Sequence, residues 1–373
     1  MAMTQLKQSG TVSLKFEKRL TTSKWITILV PIVSILLALL VGAVFIYFTG
    51  HKPIEVYQVM LKGAFGSKYG ISETVVKAIP LILTGLAVSI AFRMQLWNIG
   101  AEGQLYMGAW AAGYVALFMT WLPGFLVLPT MFLFGFLGGA FWGLLPAIPR
   151  ALLNVNETIT TLLLNYVAIL WFAFFIYGPW RDPAGFNFPL TAPFDQAARL
   201  TRLFDTRVHT GIFIAIIIAI IIYFLLKKTK WGYEIRVIGQ SPNAALYAGM
   251  NIKRNIILVL ALSGGIAGIA GMVEAVGLTH RLQPTMSPGY GYTAIIIAWL
   301  SRLNPFAIVV VSFLFGGLLV GGYSIQSIGL PLATSHMLQG LILFFVLGGE
   351  VFYRYRIKFK RKNAEIDDKG GQS

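Results

Sequence analysis

The chain has 373 residues, 57% of them hydrophobic and only 12% charged, with a mean hydropathy of +0.73. That composition excludes a water-soluble globular domain and requires lipid as solvent. The formal net charge of +16 does not indicate nucleic-acid binding, because Lys and Arg gather at the ends of apolar runs; the absence of Cys excludes disulfides, thiolate metal sites and a cysteine nucleophile.

The chain opens with a polar, basic tail (Lys7, Lys15, Lys18, Arg19, Lys24) leading into an apolar stretch too long for a signal peptide, which is read as a retained first span. Crossing the hydrocarbon takes roughly 20 apolar residues. On that scale about ten spans are expected, over Trp25–Phe48, Val75–Phe92, Gln104–Met119, Pro123–Ile148, Thr158–Pro179, Thr210–Lys227, Asn255–Gly277, Tyr292–Leu300, Phe306–Gly322 and Ser335–Phe352. The eighth is too short to span upright. It is either re-entrant or completed by the Gly/Tyr-rich segment before it, and it is tolerable only if protein surrounds it.

The bias of Lys and Arg toward alternate connections places both termini in the cytoplasm, residues 180–209 outside and 228–254 inside. The expected fold is therefore an all-α integral membrane protein, N-in and C-in. Its parts are a basic tail (1–24), a transmembrane region (25–352) containing the inner loop 228–254, and a basic C-terminal tail (353–373). In that last tail Arg354, Arg356, Lys358, Lys360, Arg361 and Lys362 suit anionic lipid.

Phe132-Leu133-Phe134-Gly135 in the fourth span recurs as Phe313-Leu314-Phe315-Gly316 in the ninth, and Ala109-Trp110 in the third echoes Ala298-Trp299 in the eighth. These matches fit an inverted repeat of spans 2–5 and 7–10, a common plan in transporters. Small residues recur at four-residue spacing, as close helix packing in lipid requires: Gly135, Gly139 and Gly143; Gly264 and Gly268; Gly317 and Gly321. No Gly-Lys dipeptide occurs, so the chain holds no phosphate-binding P-loop, and His51, His209, His280 and His336 are scattered without hydrolase spacing.

The inner loop carries a short helix with both ends specified. Ser241 suits the N-cap, Pro242 the first turn, and Gly249 the left-handed stop. So short a helix is not stable alone in water and must dock, either on its own bundle or on a partner.

Three stretches resemble the permeases of bacterial ATP-binding-cassette importers for nucleosides and simple sugars, within the wider ribose and branched-chain amino acid permease grouping. They are Leu96-Trp97-Asn98-Ile99-Gly100-Ala101-Glu102-Gly103-Gln104-Leu105, Val155 to Tyr166, and Gly239 to Gly249. The resemblance implies a non-enzymatic transport subunit of the bacterial cytoplasmic membrane that works by alternating access. It binds no cofactor itself; ATP is used by a cytoplasmic ATPase partner. It also implies a second permease subunit, of a different chain, and an extracellular or lipid-anchored solute-binding protein.

By the same resemblance Ser241, Pro242, Asn243, Ala244, Ala245 and Gly249 couple the chain to the ATPase, and nucleosides are favoured over simple sugars. An ion-coupled secondary carrier is the competing class; it needs no docking helix and usually keeps ion-coordinating groups at mid-membrane. Polar side chains inside spans are candidate solute contacts: Asn98, Glu102, Gln104, Asn165 and Glu274. Each has a structural alternative. Asn165 suits an interhelical hydrogen bond, Glu102 and Gln104 suit helix capping, and Glu274 suits a reach to the headgroups. Asn156 and Glu157 read as caps of the fifth span.

Overall fold

The computed structural model describes residues 12–18 and 24–361. Lys7, Arg19 and Lys362 of the expected basic tails lie outside them.

Helix follows helix along the chain: α1 (Lys24–Phe48), α2 (Pro53–Phe65), α3 (Lys68–Arg93), α4 (Ala101–Phe118), α5 (Gly124–Leu153), α6 (Glu157–Tyr177), α7 (Gly211–Lys228), α8 (Lys230–Gln240), α9 (Pro242–Tyr247), α10 (Ile252–Glu274), α11 (Tyr290–Leu300), α12 (Pro305–Ser324) and α13 (Ala333–Arg354). Seven of these segments, α1, α3, α5, α6, α7, α10 and α12, are long and apolar enough to cross a membrane. The remaining expected spans are also helical, as α4, α11 and α13. The amphipathic α2 was not anticipated, because its 13 residues include charged Glu55 and Lys62 and fall short of a span.

The described chain divides into two compact units, residues 43–339 and the two chain ends together (1–42 with 340–373). In the unit of chain ends, Gly349 of α13 lies against Ser34 and Val30 of α1. There the tails, read in the sequence only as basic cytoplasmic segments, form an antiparallel pair, β1 (Val12–Lys18) with β2 (Tyr355–Arg361), Leu14 opposite Phe359 and Phe16 opposite Ile357. The period-2 alternation of apolar residues in both segments is the sequence signal for it.

In the larger unit the ends of the helices are fixed by local chemistry. Ser67 accepts a hydrogen bond from the Gly70 N–H at the start of α3, Asn251 from Arg254 at the start of α10, and Asn304 from Phe306 at the start of α12, where Pro305 fills the first helical position. The packing then follows the three glycine stripes. Gly135, Gly139 and Gly143 of α5 face Gly264, Gly268 and Leu260 of α10 so closely that a Cβ on Gly139 would overlap the Gly264 carbonyl. Gly317 and Gly321 of α12 instead face Phe65 and Met60 of α2.

The repeated tetrapeptides occupy equivalent places. Gly135 closes the first and meets Met272 and Gly268 of α10, whereas Gly316 closes the second and meets Thr74 and Ala78 of α3. Each half thus packs its FLFG helix on the first helix of the other half. Trp110 and Trp299, the echoed tryptophans, sit in separate aromatic clusters. Trp110 stacks on Trp180 at 5.5 Å, and Trp299 meets Trp97 at 5.8 Å and Phe92 at 6.0 Å.

Candidate functional site

Between α3 and α4 the chain leaves the helical conformation over residues 94–100, with Gln95 at positive φ. Backbone N–H groups freed at membrane depth need partners. The partners come from one face of α6. Glu157 accepts from the Trp97 N–H at 3.3 Å, Thr161 from Ile99 at 3.2 Å, and Asn165 from Gly103 at 2.8 Å. Three polar residues spaced by four thus hold two donors of the broken segment and one in the first turn of α4. Asn165 also donates to the Ile99 carbonyl at 2.8 Å. Two of the stretches that carried the resemblance are therefore each other's binding partners.

Asn98 and Gln104 form a second tie. The Asn98 amide donates to Gln104 at 2.9 Å and to Ser263 at 2.9 Å, and accepts from Gly100 and Gln104; Ser263 in turn donates to the Ala87 carbonyl at 2.7 Å. All four hydrogen-bonding positions of this buried amide are filled. The knot joins α3, α4 and α10.

Glu102 accepts from the Gly291 N–H at 2.7 Å, which sets its carboxylate at the N-terminal end of α11, where the helix dipole favours negative charge. One residue earlier, Tyr290 donates to Glu274 at 3.2 Å and accepts from Lys77 at 3.0 Å, with Lys77 and Glu274 3.4 Å apart. Glu274 is 2% exposed, so it reaches no headgroup. Its second oxygen has no hydrogen-bond partner among the described residues. The five expected polar residues fall into two groups. Asn98, Gln104, Glu102 and Asn165 gather around the start of α4, and Glu274 belongs to a neighbouring cluster across α11. Lys77, Tyr290 and Tyr292 complete these groups and were not singled out as site residues, although a lone lysine inside an apolar run was the available signal.

α11 is buried over most of its length, as a short intramembrane helix requires. Just before α7, His209 is buried against Gly211 and Gly277, and that burial, with the nearby charges of His280 and Arg202, pushes its pKa down to about 4.

At the end of the unit carrying α8 and α9, the capping expectations hold. Ser241 accepts from the Ala244 N–H at 3.3 Å, Pro242 opens α9, and Gly249 adopts φ +71°. Pro242, Asn243 and Ala244 are exposed, but Ala245 is fully buried and seats the helix. The outward apolar groups are Leu246, 61% exposed, and Tyr247, 94% exposed. α8 is anchored to α10 through Trp231 and Glu234, both hydrogen-bonded to Asn255. Gly239 lies against the Arg93 carbonyl, where a Cβ would overlap it. The third resemblance stretch thus abuts the end of α3, one residue before the broken segment.

Comparison with known proteins fits this arrangement. The family described as branched-chain amino acid transport system / permease component matches residues 70–347. A glucose ABC transporter permease protein of Haloferax volcanii is 36% identical over 97% of this chain and 99% of its own length. A guanosine ABC transporter permease protein of Bacillus subtilis is 32% identical over 90% and 98%, and a nucleoside ABC transporter permease protein of Lactococcus lactis 31% over 86% and 90%. A second guanosine permease protein of Bacillus subtilis matches at 26% over 66% and 79%. The match covers both halves of the repeat and all three motif stretches, and the chain is a multi-pass membrane protein of the branched-chain amino acid transport permease family.

Proposed function

We propose that this permease imports nucleosides across the cytoplasmic membrane, driven by a separate ATP-binding-cassette ATPase that docks on α9. The observation that carries the coupling is α9 itself: a capped helix, seated by Ala245, that presents Leu246 and Tyr247 outward and continues through α8 to the end of α3. With the positive-inside bias, that end faces the cytoplasm. ATP is bound and hydrolysed by the partner, in keeping with the missing P-loop. Two matching permeases in Bacillus subtilis support a second, different permease chain beside this one, and an external binding protein delivers the solute.

The guanosine and nucleoside relatives support the choice of solute. The glucose relative, 36% identical over nearly the whole chain, supports a second reading as a simple-sugar permease. Asn98, Gln104 and Asn165 act in this account as the ties that keep the pathway wall in register, with Glu102 and Glu274 holding the start of α11.

The coupling is tested by co-purification of the ATPase with the detergent-solubilised transporter. Leu246→Asp with Tyr247→Asp is expected to abolish association while leaving the permease folded, because both side chains face outward. Ala245→Asp is unsuitable, since it would unseat α9 itself. Association unchanged in the Leu246/Tyr247 variant would remove α9 from the docking surface.

A further inference from the structure

The start of α11 lies deep in the larger unit. The Tyr290 carbonyl accepts from Thr84, which is about 24 Å from one end of α3 and about 14 Å from the other at helical rise. Residues 281–289 therefore descend to that depth without helical hydrogen bonding, and they are incompletely covered: Gln283, Ser287 and Gly289 are half-buried and Thr285 exposed. Non-helical backbone at membrane depth cannot face lipid; it borders protein or a water-filled cavity.

The neighbouring surface carries the same signal. Tyr292 of α11 is 38% exposed and Tyr166 of α6 is 60% exposed, and Asn165, beside Tyr166, donates to the Tyr292 hydroxyl at 3.4 Å. The exposed side chains Leu133 and Leu137 on α5 and Ile217 and Ile221 on α7 are hydrocarbon. Tyr292 lies against Gly289, so on this face the two phenols stand beside uncovered non-helical backbone.

We infer that the face formed by Tyr166, Tyr292 and residues 281–289 is one wall of the aqueous solute pathway, and that the two tyrosine rings receive the planar base of the solute. This rests on the nucleoside reading for its second half only. Aromatic rings supply sequence-tolerant stacking for any base, and phenolic hydroxyls supply donors and acceptors for its edge.

The natural absence of cysteine makes the test direct. Single substitutions Tyr166→Cys, Tyr292→Cys and Thr285→Cys, with Leu133→Cys and Ile217→Cys as lipid-face references, are placed in the full transporter. They are treated with a charged, membrane-impermeant thiol reagent in intact cells and in inside-out vesicles. Labelling of the first three but not the references, slowed by saturating guanosine, is the expected result. Thr285 sits outside any helix and is exposed, so it reports on the wall even if replacing a tyrosine impairs folding. Tyr166→Cys and Thr285→Cys as inert as Leu133→Cys would overturn the wall. Labelling that guanosine leaves unchanged, where the wild type imports guanosine, would overturn the base contact alone; a wild type that imports no nucleoside refutes the solute reading while the labelling still judges the wall.

Discussion

Lys77, Glu274 and Tyr290 form a group in which a charge pair is held among helices, joining α3, α10 and α11. Two charges removed from water are tolerated only as a pair, and deleting one partner of such a pair typically costs about 3–5 kcal/mol because the other is left uncompensated. Lys77→Met and Glu274→Leu are each expected to lower the thermal midpoint of the purified protein markedly. The double variant is expected to recover much of the loss, since a packed apolar pair needs no counter-charge. Additive losses in that cycle would show that the two side chains do not act together. This cluster was only half legible from the sequence. Glu274 stood out as a carboxylate near a span end, but a run of residues cannot show that Lys77, almost two hundred positions away, supplies its counter-charge. Asn165 was readable as an interhelical tie for a better reason: an amide inside a span needs partners wherever it is.

At the scale of elements, the sequence reading succeeded where the physics is local. Ser241, Pro242 and Gly249 specify α9 by capping and left-handed backbone, and the structure places all three in those roles. The clamp of α6 on residues 97–103 was missed, although Glu157, Thr161 and Asn165 share one helix face at four-residue spacing. Their partners are backbone groups, which carry no side-chain signature. The glycine stripes were legible as packing faces but not as partners; their contacts decide that α5 pairs with α10 and α12 with α2. Introducing a side chain at the crossing should therefore act at once. Gly268→Val would drive carbon into the Gly135 carbonyl, and overpacking of this kind costs about 1–3 kcal/mol or more where backbone cannot yield. We expect a lower thermal midpoint for Gly268→Val and none for Gly340→Ala, which has open space around it. Equal behaviour of the two would contradict the α5–α10 contact.

Across the whole molecule, composition alone required a membrane protein, and the two FLFG tetrapeptides marked halves that the structure packs crosswise, each on the first helix of the other. A separate chain of contacts links one end of the unit to the proposed pathway. α9 and α8 lie at the end of α3, the end of α3 leads into the broken segment, and α6 holds that segment beside the start of α11. On the proposed function, an ATPase pressing on α9 would thus act on the wall assigned to Tyr166 and Tyr292. A secondary carrier would have no use for this path.

The measurement that bears most directly on the account is uptake of labelled guanosine, uridine and glucose by cells lacking this gene, complemented with the wild-type chain. ATP is depleted in one arm while ion gradients are held. Nucleoside uptake that appears with the chain and disappears with ATP is the expected result. Uptake of glucose alone would contradict the solute, and uptake that persists without ATP and follows an ion gradient would contradict the ATP-driven importer itself.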